Sequence, residues 1–343
     1  MNTEPPRLTI IIPVRNEESY ISRTIQYLLD QDYPEDKVEL LVGIADSEDR
    51  TEEVVKAIAA REPRLKCFHN PYGLSSGART LGAHMAAGDI VIFIDGHVYI
   101  DNSHLLRSTV RLMKEKQVLV LSRPQLLDTP DNSFFQKAVA LARGSALGHA
   151  RDSTIYLKNE GYVSPSSSGA SYRKEVFEKV GYFDLSFDAC EDVDFNYRCA
   201  QAGFRSYTSM DLAVYYYPRS SLRGLFRQMM RYGAGRFRLA RKHPGTLSVG
   251  TLIPFLLTAG LLSFGILCLF WPVLLYPVGF IAFAYILTTA LVSLALSARR
   301  GWAYFPVLCA IFPAIHVGLG WGFLRQLFVS VVMMRNHHLA RLF

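Results

Sequence analysis

Between Leu247 and Phe343 there is not one aspartate or glutamate, and the only cations are Arg299, Arg300, Arg325, Arg335 and Arg341. A run of this length without a carboxylate is ill suited to the surface of a soluble domain and constrains the chain more than any other feature. Residues 247–271 and 273–296 are uncharged over 25 and 24 positions, each beyond the ~20 needed for a helix to cross hydrocarbon. They read as two transmembrane helices joined at Pro272 by a tight turn on the far side, which returns Arg299 and Arg300 to the side where positive charge collects. A third uncharged run, 301–324, is long enough to span but holds Pro306, Pro313 and His316. If it crosses, Arg325, Arg335 and Arg341 end on the far side, against the charge rule. A re-entrant segment, or a fourth pass by Leu327 to Met334, would bring them back.

Of the 37 basic residues, five lie in this tail and eight more in the acid-free stretch 219–243, so the remaining 24 meet 30 acidic residues in 1–218, a net −6. Positive charge is thus gathered beside the first membrane helix rather than on a folded polar surface, which argues against nucleic acid as a partner despite the overall +7. Three regions follow: a polar domain over 1–218, a basic amphipathic region over 219–246 and a membrane domain over 247–343. Cys67, Cys190, Cys199, Cys268 and Cys309 show no C-x-x-C spacing, and their odd number argues against a disulfide framework. The start MNTEPPRLTI has no apolar core behind a basic end, so no secretory leader is expected. Both points place the polar domain in the cytoplasm, with the tail in an inner membrane as a multi-pass anchor.

From Leu8 onward, short apolar runs alternate with amphipathic stretches, the rhythm of an α/β fold with a parallel sheet covered by helices. Strands are expected at Leu8 to Val14, Val38 to Ile44, Leu65 to Phe68, Asp89 to Ile94 and Val118 to Leu121, with helices beginning near Glu17, Thr51, Ser75 and Ser103. Polar residues follow three of the strands: Asn16 and Glu17, then Asp46, Ser47 and Asp49, then Asp95 and His97. Open α/β sheets bind ligands at such carboxyl ends. Helix capping explains some of these residues equally well, Thr51 and Ser75 above all.

The run Ile10-Ile11-Ile12-Pro13-Val14-Arg15-Asn16-Glu17-Glu18, followed by Asp46-Ser47-Glu48-Asp49-Arg50-Thr51, resembles the opening of family 2 glycosyltransferases of the GT-A (Rossmann-like) fold. Gly73-Leu74-Ser75-Ser76-Gly77-Ala78-Arg79 is similar to their nucleotide-side loop and helix. Phe183-Asp184 and Glu191-Asp192-Val193-Asp194-Phe195-Asn196-Tyr197-Arg198 are similar to the acceptor-side motif. Gln228-Met229-Met230-Arg231-Tyr232 resembles the QxxRW element of membrane-bound members. These pieces cover about 8–243 in the family's order. The apolar tail and Arg231-Tyr232-Gly233-Ala234-Gly235-Arg236 most resemble exopolysaccharide transferases of the succinoglycan type.

The resemblance implies an inverting hexosyltransferase that moves a sugar from a nucleotide sugar, expected to be UDP-linked, to a saccharide carried on a polyprenyl diphosphate. Pro13, Arg15, Glu17, Asp46, Arg79 and Asp95 would form the nucleotide-sugar pocket, and Gln228 and Arg231 would join the catalytic set. Asp192 would be the general base, with Glu191 and Asp194 as alternatives that spacing alone does not rank. A divalent cation held by Asp95 would neutralise the leaving diphosphate. The family's usual Asp-x-Asp is here Asp95-Gly96-His97, so His97 stands where a second carboxylate is normal, either as a ligand or packed beneath the site. Imidazole favours Mn²⁺ over Mg²⁺, which keeps oxygen ligands.

Arg219, Arg223, Arg227 and Arg231 recur every four residues on one face of an expected helix, beside Leu222, Leu225, Phe226, Met229 and Met230. Such a helix lies on an anionic membrane, and the same charges suit a lipid diphosphate. Phe134, Phe135, Val139 and Leu141 mark a second amphipathic stretch. Two rivals remain at this level: a processive polysaccharide synthase, for which three apolar segments are few, and a nucleotide-sugar-binding transporter subunit, which the acid-free membrane segments disfavour.

Overall fold

The runs Leu8–Val14 and Val38–Ile44 are buried at every position, as strands covered on both faces must be. In the computed structural model, which describes residues 4–149, 155–156 and 158–339, they are β1 and β2 of the larger of two sheets. The chain divides into two compact units, Met1–Pro130 with Ser153–Tyr217, and Asp131–Asp152 with Pro218–Phe343.

In the first unit the strands are β1 (Leu8–Val14), β2 (Val38–Ile44), β3 (Leu65–His69), β4 (Ile90–Phe93), β5 (Val98–Tyr99), β6 (Val120–Ser122), β7 (Gln125–Leu126), β8 (Gly161–Val163), β9 (Gly169–Arg173), β10 (Ser206–Thr208) and β11 (Val214–Tyr216). The eight-stranded sheet has the order β3-β2-β1-β4-β9-β6-β10-β8, and a three-stranded sheet the order β5-β11-β7. β1 pairs in parallel with β2 and β4, and β2 with β3, as the strand–helix rhythm predicts. The mixed part departs from that expectation: β9 runs antiparallel between β4 and β6. Helices Ile21–Leu29, Thr51–Ala59, Ser75–Met85 and Leu105–Glu115 follow the first strands. Neither Thr51 nor Ser75 caps its helix, since the N-cap positions are Arg50 and Leu74 and neither makes a side-chain cap bond.

The second unit is helical. Phe134–Arg143 opens with a capping box in which Ser133 and Gln136 satisfy each other's backbone N–H groups. Leu222–Lys242 is the basic amphipathic helix, followed by Val249–Leu267, Leu275–Arg300 and Tyr304–Leu339. A core of Ala138, Val139, Ala142, Leu225, Met229, Leu308, Ile311 and Phe312 joins three of these elements. The helix Phe134–Arg143, assigned from sequence to the first domain, therefore packs with the C-terminal helices. Three helical segments are long and apolar enough to cross a membrane, Val249–Leu267, Pro272–Arg300 and Tyr304–Val332. The last helix runs unbroken through Pro313 to Leu339, so Leu327 to Met334 is not a separate fourth pass. Arg341 and the side chain of Arg335 lie outside the described residues.

Candidate functional site

Asp95 stands just past β4, and both its oxygens are engaged: Arg79 Nη2 donates to Oδ1 at 2.9 Å and Tyr216 Oη to Oδ2 at 2.6 Å. The Arg79 guanidinium lies over the Phe93 and Phe183 rings, 5.5 and 5.7 Å from their centroids, and its Nε is 3.7 Å from Glu191 Oε1. One arginine thus ties the strand end to the start of the helix Glu191–Gln201, the acidic motif that is 96 residues away in sequence. Ser76 Oγ and Thr80 Oγ1 donate to the carbonyls of Phe187 and Phe183 and clamp the arginine's own helix to the loop leading into that motif.

The electrostatics follow from burial and these contacts. Burial alone would raise the Asp95 carboxyl, but Arg79 and then His97 outweigh it and hold it below its ordinary value. Glu191 goes the other way: burial pushes it up to about 7, with Arg79 opposing and Asp192 adding to the rise. The folded state keeps the Glu191 proton up to about pH 7, whereas the unfolded chain releases it near the ordinary 4.5. The fold therefore holds the extra proton in that window and loses stability as pH rises through it. The unfolding midpoint should fall between about pH 5 and about pH 7, and Glu191→Gln should flatten that slope. A slope unchanged in Glu191→Gln would assign the proton to another group.

The three acids of this helix separate by environment. Asp194 is fully buried and accepts from Arg198 Nε at 3.0 Å, while Arg198 donates to the Val180 and Tyr182 carbonyls. That lock removes Asp194 from the candidates for the base. Asp192 is half-buried and accepts from the Val193 N–H at 2.8 Å. Cys190, at the N-cap with φ of 65°, adopts the left-handed conformation that turns the chain into Glu191 and Asp192.

The β1 and β2 loops are knitted together. Asn16, also left-handed at φ 56°, accepts from the Glu48 N–H and donates to Ser47 Oγ, and the Glu17 N–H donates to Thr51 Oγ1 at 2.7 Å. This stitching directs the Glu17 side chain to His97, with Oε1 2.7 Å from Nδ1. His97 also meets the Tyr216 ring edge-on at 4.5 Å between centroids. Sequence reasoning placed Glu17 in a nucleotide pocket, whereas the structure gives it an imidazole partner. Pro13 is buried opposite Gly43, and Arg15 and Asp46 are exposed at neighbouring strand ends. Gln228 and Arg231 belong to the second unit, where Gln228 Nε2 lies 3.4 Å from Tyr232 Oη and Arg231 is exposed.

Tyr216 and Arg123 went unnoticed in the sequence. Tyr216 sits in the run Tyr215-Tyr216-Tyr217, indistinguishable from strand core. Arg123 follows the apolar run of β6; it is buried, donates from Nη2 to the Phe93 carbonyl at 2.6 Å, and has no hydrogen-bond partner for Nε and Nη1 among the described residues. Burial pulls it down to about 10, and the field of Asp95 supports its charge. A lone charge closing an apolar run, as in Leu121-Ser122-Arg123, was the available signal.

Among the described residues no three His, Cys, Asp or Glu side chains converge on one point. The protein offers one carboxylate, Asp95, and one imidazole two positions on. Bonding of His97 Nδ1 to Glu17 leaves Nε2 as the ring nitrogen for a ligand. Asp95 and His97 are the two residues on which a divalent cation would depend here.

The mixed α/β sheet followed by C-terminal helices is the GT-A class of fold, and here the end of β4 carries an aspartate that Arg79 ties to the start of an acidic helix. The sequence profile described as "Glycosyltransferase like family 2" matches residues 5–235, and the chain belongs to that family. It is 31% identical over 93% of its length, and 94% of the relative's, to the succinoglycan biosynthesis protein ExoA of Rhizobium meliloti. It is 26% identical, over 93% and 97% of the two chains, to a dolichyl N-acetyl-alpha-D-glucosaminyl phosphate 3-beta-D-2,3-diacetamido-2,3-dideoxy-beta-D-glucuronosyltransferase of Methanococcus voltae. Its fold is similar to that of the mannosyltransferase PcManGT of Pyrobaculum calidifontis, solved with GDP-Man and Mn²⁺, at a TM-score of 0.60 with 19% identity over 95% of this chain and 88% of that one.

Proposed function

We propose that this family 2 enzyme inverts configuration as it moves a sugar from a UDP-sugar to a lipid-linked saccharide, in the synthesis of an exopolysaccharide or related surface glycan. The Arg79 clamp carries the reading, because it holds the Asp95 carboxylate and the Glu191–Asp192 pair at one place, as attack and departure on opposite faces of a sugar require. The names of the ExoA and Methanococcus relatives support the glycan setting and the lipid carrier.

In this mechanism an acceptor hydroxyl forms a bond to the anomeric carbon while the bond to the diphosphate oxygen breaks. Asp192 takes the hydroxyl proton. Arg79, buried and aromatic-packed, keeps Asp95 oriented and anionic, and the diphosphate leaves with its electron pair. A divalent cation bound by Asp95 and His97, Mn²⁺ in preference to Mg²⁺, would supply charge neutralisation of that leaving group. A second reading makes Glu191 the base, favoured by its pKa near 7, which suits proton abstraction at neutral pH.

Purified enzyme offered a panel of nucleotide sugars and a lipid-linked acceptor should release UDP and add one sugar. A long polymer would instead identify a synthase, and binding without transfer a transport subunit. On the basic helix, Arg231→Gln should lower turnover with the protein still in the membrane fraction. Arg223→Gln should cost only the ~1 kcal/mol of one interfacial cation. Equal, small effects at both positions would reduce the likeness to QxxRW to coincidence.

A further inference from the structure

One buried arginine of the first unit has no anion of its own. Arg123 is 5% exposed and follows directly on β6. Its backbone is fixed from both sides: its N–H donates to the Ser168 carbonyl at 3.0 Å, and Pro124 after it restricts it to extended conformations. Pairing between β6 and β9 slips just before it, with Leu121 opposite Ser171 but Ser122 opposite Gly169. Such a bulge re-aims the chain beyond it. Here the side chain reaches from β6 to β4, two strands along the sheet, where Nη2 donates to the Phe93 carbonyl at 2.6 Å. That bond leaves Nε and Nη1 without a partner among the described residues, and these atoms carry most of the donors of the guanidinium.

Asp95, whose field supports this charge, is already committed, because Arg79 donates to Oδ1 and Tyr216 to Oδ2. Arg79 is itself buried, so two guanidiniums lean on one carboxylate. A buried charge without a partner is costly, and unsatisfied donors on it add to the cost. Support of the Phe93 carbonyl does not account for it, since that oxygen takes one N–H and a neutral side chain can supply one. The surplus is positive, and its idle donors lie in a rigid plane, the form that suits phosphate oxygens. Resting on the transferase reading above, we propose that Arg123 is a phosphate-binding residue whose Nε and Nη1 donate to a diphosphate arriving beside Asp95. Two diphosphates enter that reaction, the donor's and the lipid carrier's, and both present the same chemistry. Binding completes the hydrogen bonds of the arginine and supplies the anion that the fold withholds.

In the purified full chain, Arg123→Met removes the charge and keeps much of the side chain's length. Calorimetry should show UDP or farnesyl diphosphate bound about 10- to 100-fold more weakly, the size of a lost hydrogen bond to a charged group. The unfolding midpoint without ligand should not fall, because the buried charge that is removed had no anion of its own. Arg123→Lys keeps the charge but not the planar fork and should recover part of the affinity; weaker binding by that variant than by wild type decides the matter if Arg123→Met does not fold. A loss confined to UDP assigns the donor's diphosphate, one confined to farnesyl diphosphate the lipid's, and a loss of both a place that the two share. Unchanged binding of both, or affinity that falls only in step with the midpoint, would reduce Arg123 to a prop for the Phe93 carbonyl and overturn the proposal while the transferase reading stands. Wild-type protein that binds neither diphosphate would overturn that reading and the proposal with it.

Discussion

Asp95→Asn is expected to lower transfer by about 10³ while leaving a folded protein. Asparagine still accepts from Arg79 on its one oxygen, while its amide nitrogen would donate to Tyr216 Oη instead of accepting from it, but it cannot match the charge of a diphosphate-bound cation or balance the buried guanidinium, and lost electrostatic stabilisation of this kind costs 10²- to 10³-fold. Asp95→Ala should also destabilise the unit by about 3–5 kcal/mol, because Arg79 would be left buried beside only the weakly ionised Glu191. UDP affinity by calorimetry and the unfolding midpoint separate the two losses. Full activity of Asp95→Ala in excess chelator would end the metal-dependent reading.

Asp192→Asn should retain donor binding and lose transfer by about 10² or more, since the amide keeps the shape and the hydrogen bond to the Val193 N–H but accepts no proton. Glu191→Gln serves as the comparison. If Glu191 is the base, the acid limb of the rate profile lies near pH 7 and Glu191→Gln shows the larger loss. Near-normal transfer by Asp192→Asn would transfer the role to Glu191.

How far the sequence could be read depended on whether burial left a pattern. β1 and β2 are seven-residue apolar runs, and both lie at the predicted positions. β9 is Gly-Ala-Ser-Tyr-Arg, buried through Ala170, Ser171 and Tyr172, and has no apolar run to announce it. The acidic cluster was visible as a cluster, but only packing distinguishes Asp194, sealed against Arg198, from the accessible Asp192. Glu17 was visible as a polar strand end, yet its imidazole partner lies 80 residues away. The amphipathicity of 134–143 showed that it buries a face and could not show against what. Pro306 and Pro313 suggested interruption, although Pro306 lies in the first helical turn, where no intrahelical bond is lost.

That last pairing bears on how the protein is made. Ala138, Val139 and Ala142 are buried in a core with Leu308, Ile311 and Phe312, so a face translated early waits for partners about 170 residues later. At roughly 5–20 residues per second the delay is on the order of 10–30 s. All strands of the first unit are complete by Tyr216, before the first apolar helix begins at Val249, so the sheet can form while residues 134–143 still expose apolar surface. A nascent chain of this order leaves that apolar face uncovered by its later partners for that interval. Truncation before Tyr304 would make that exposure permanent and direct the protein toward aggregation rather than toward a shorter working enzyme.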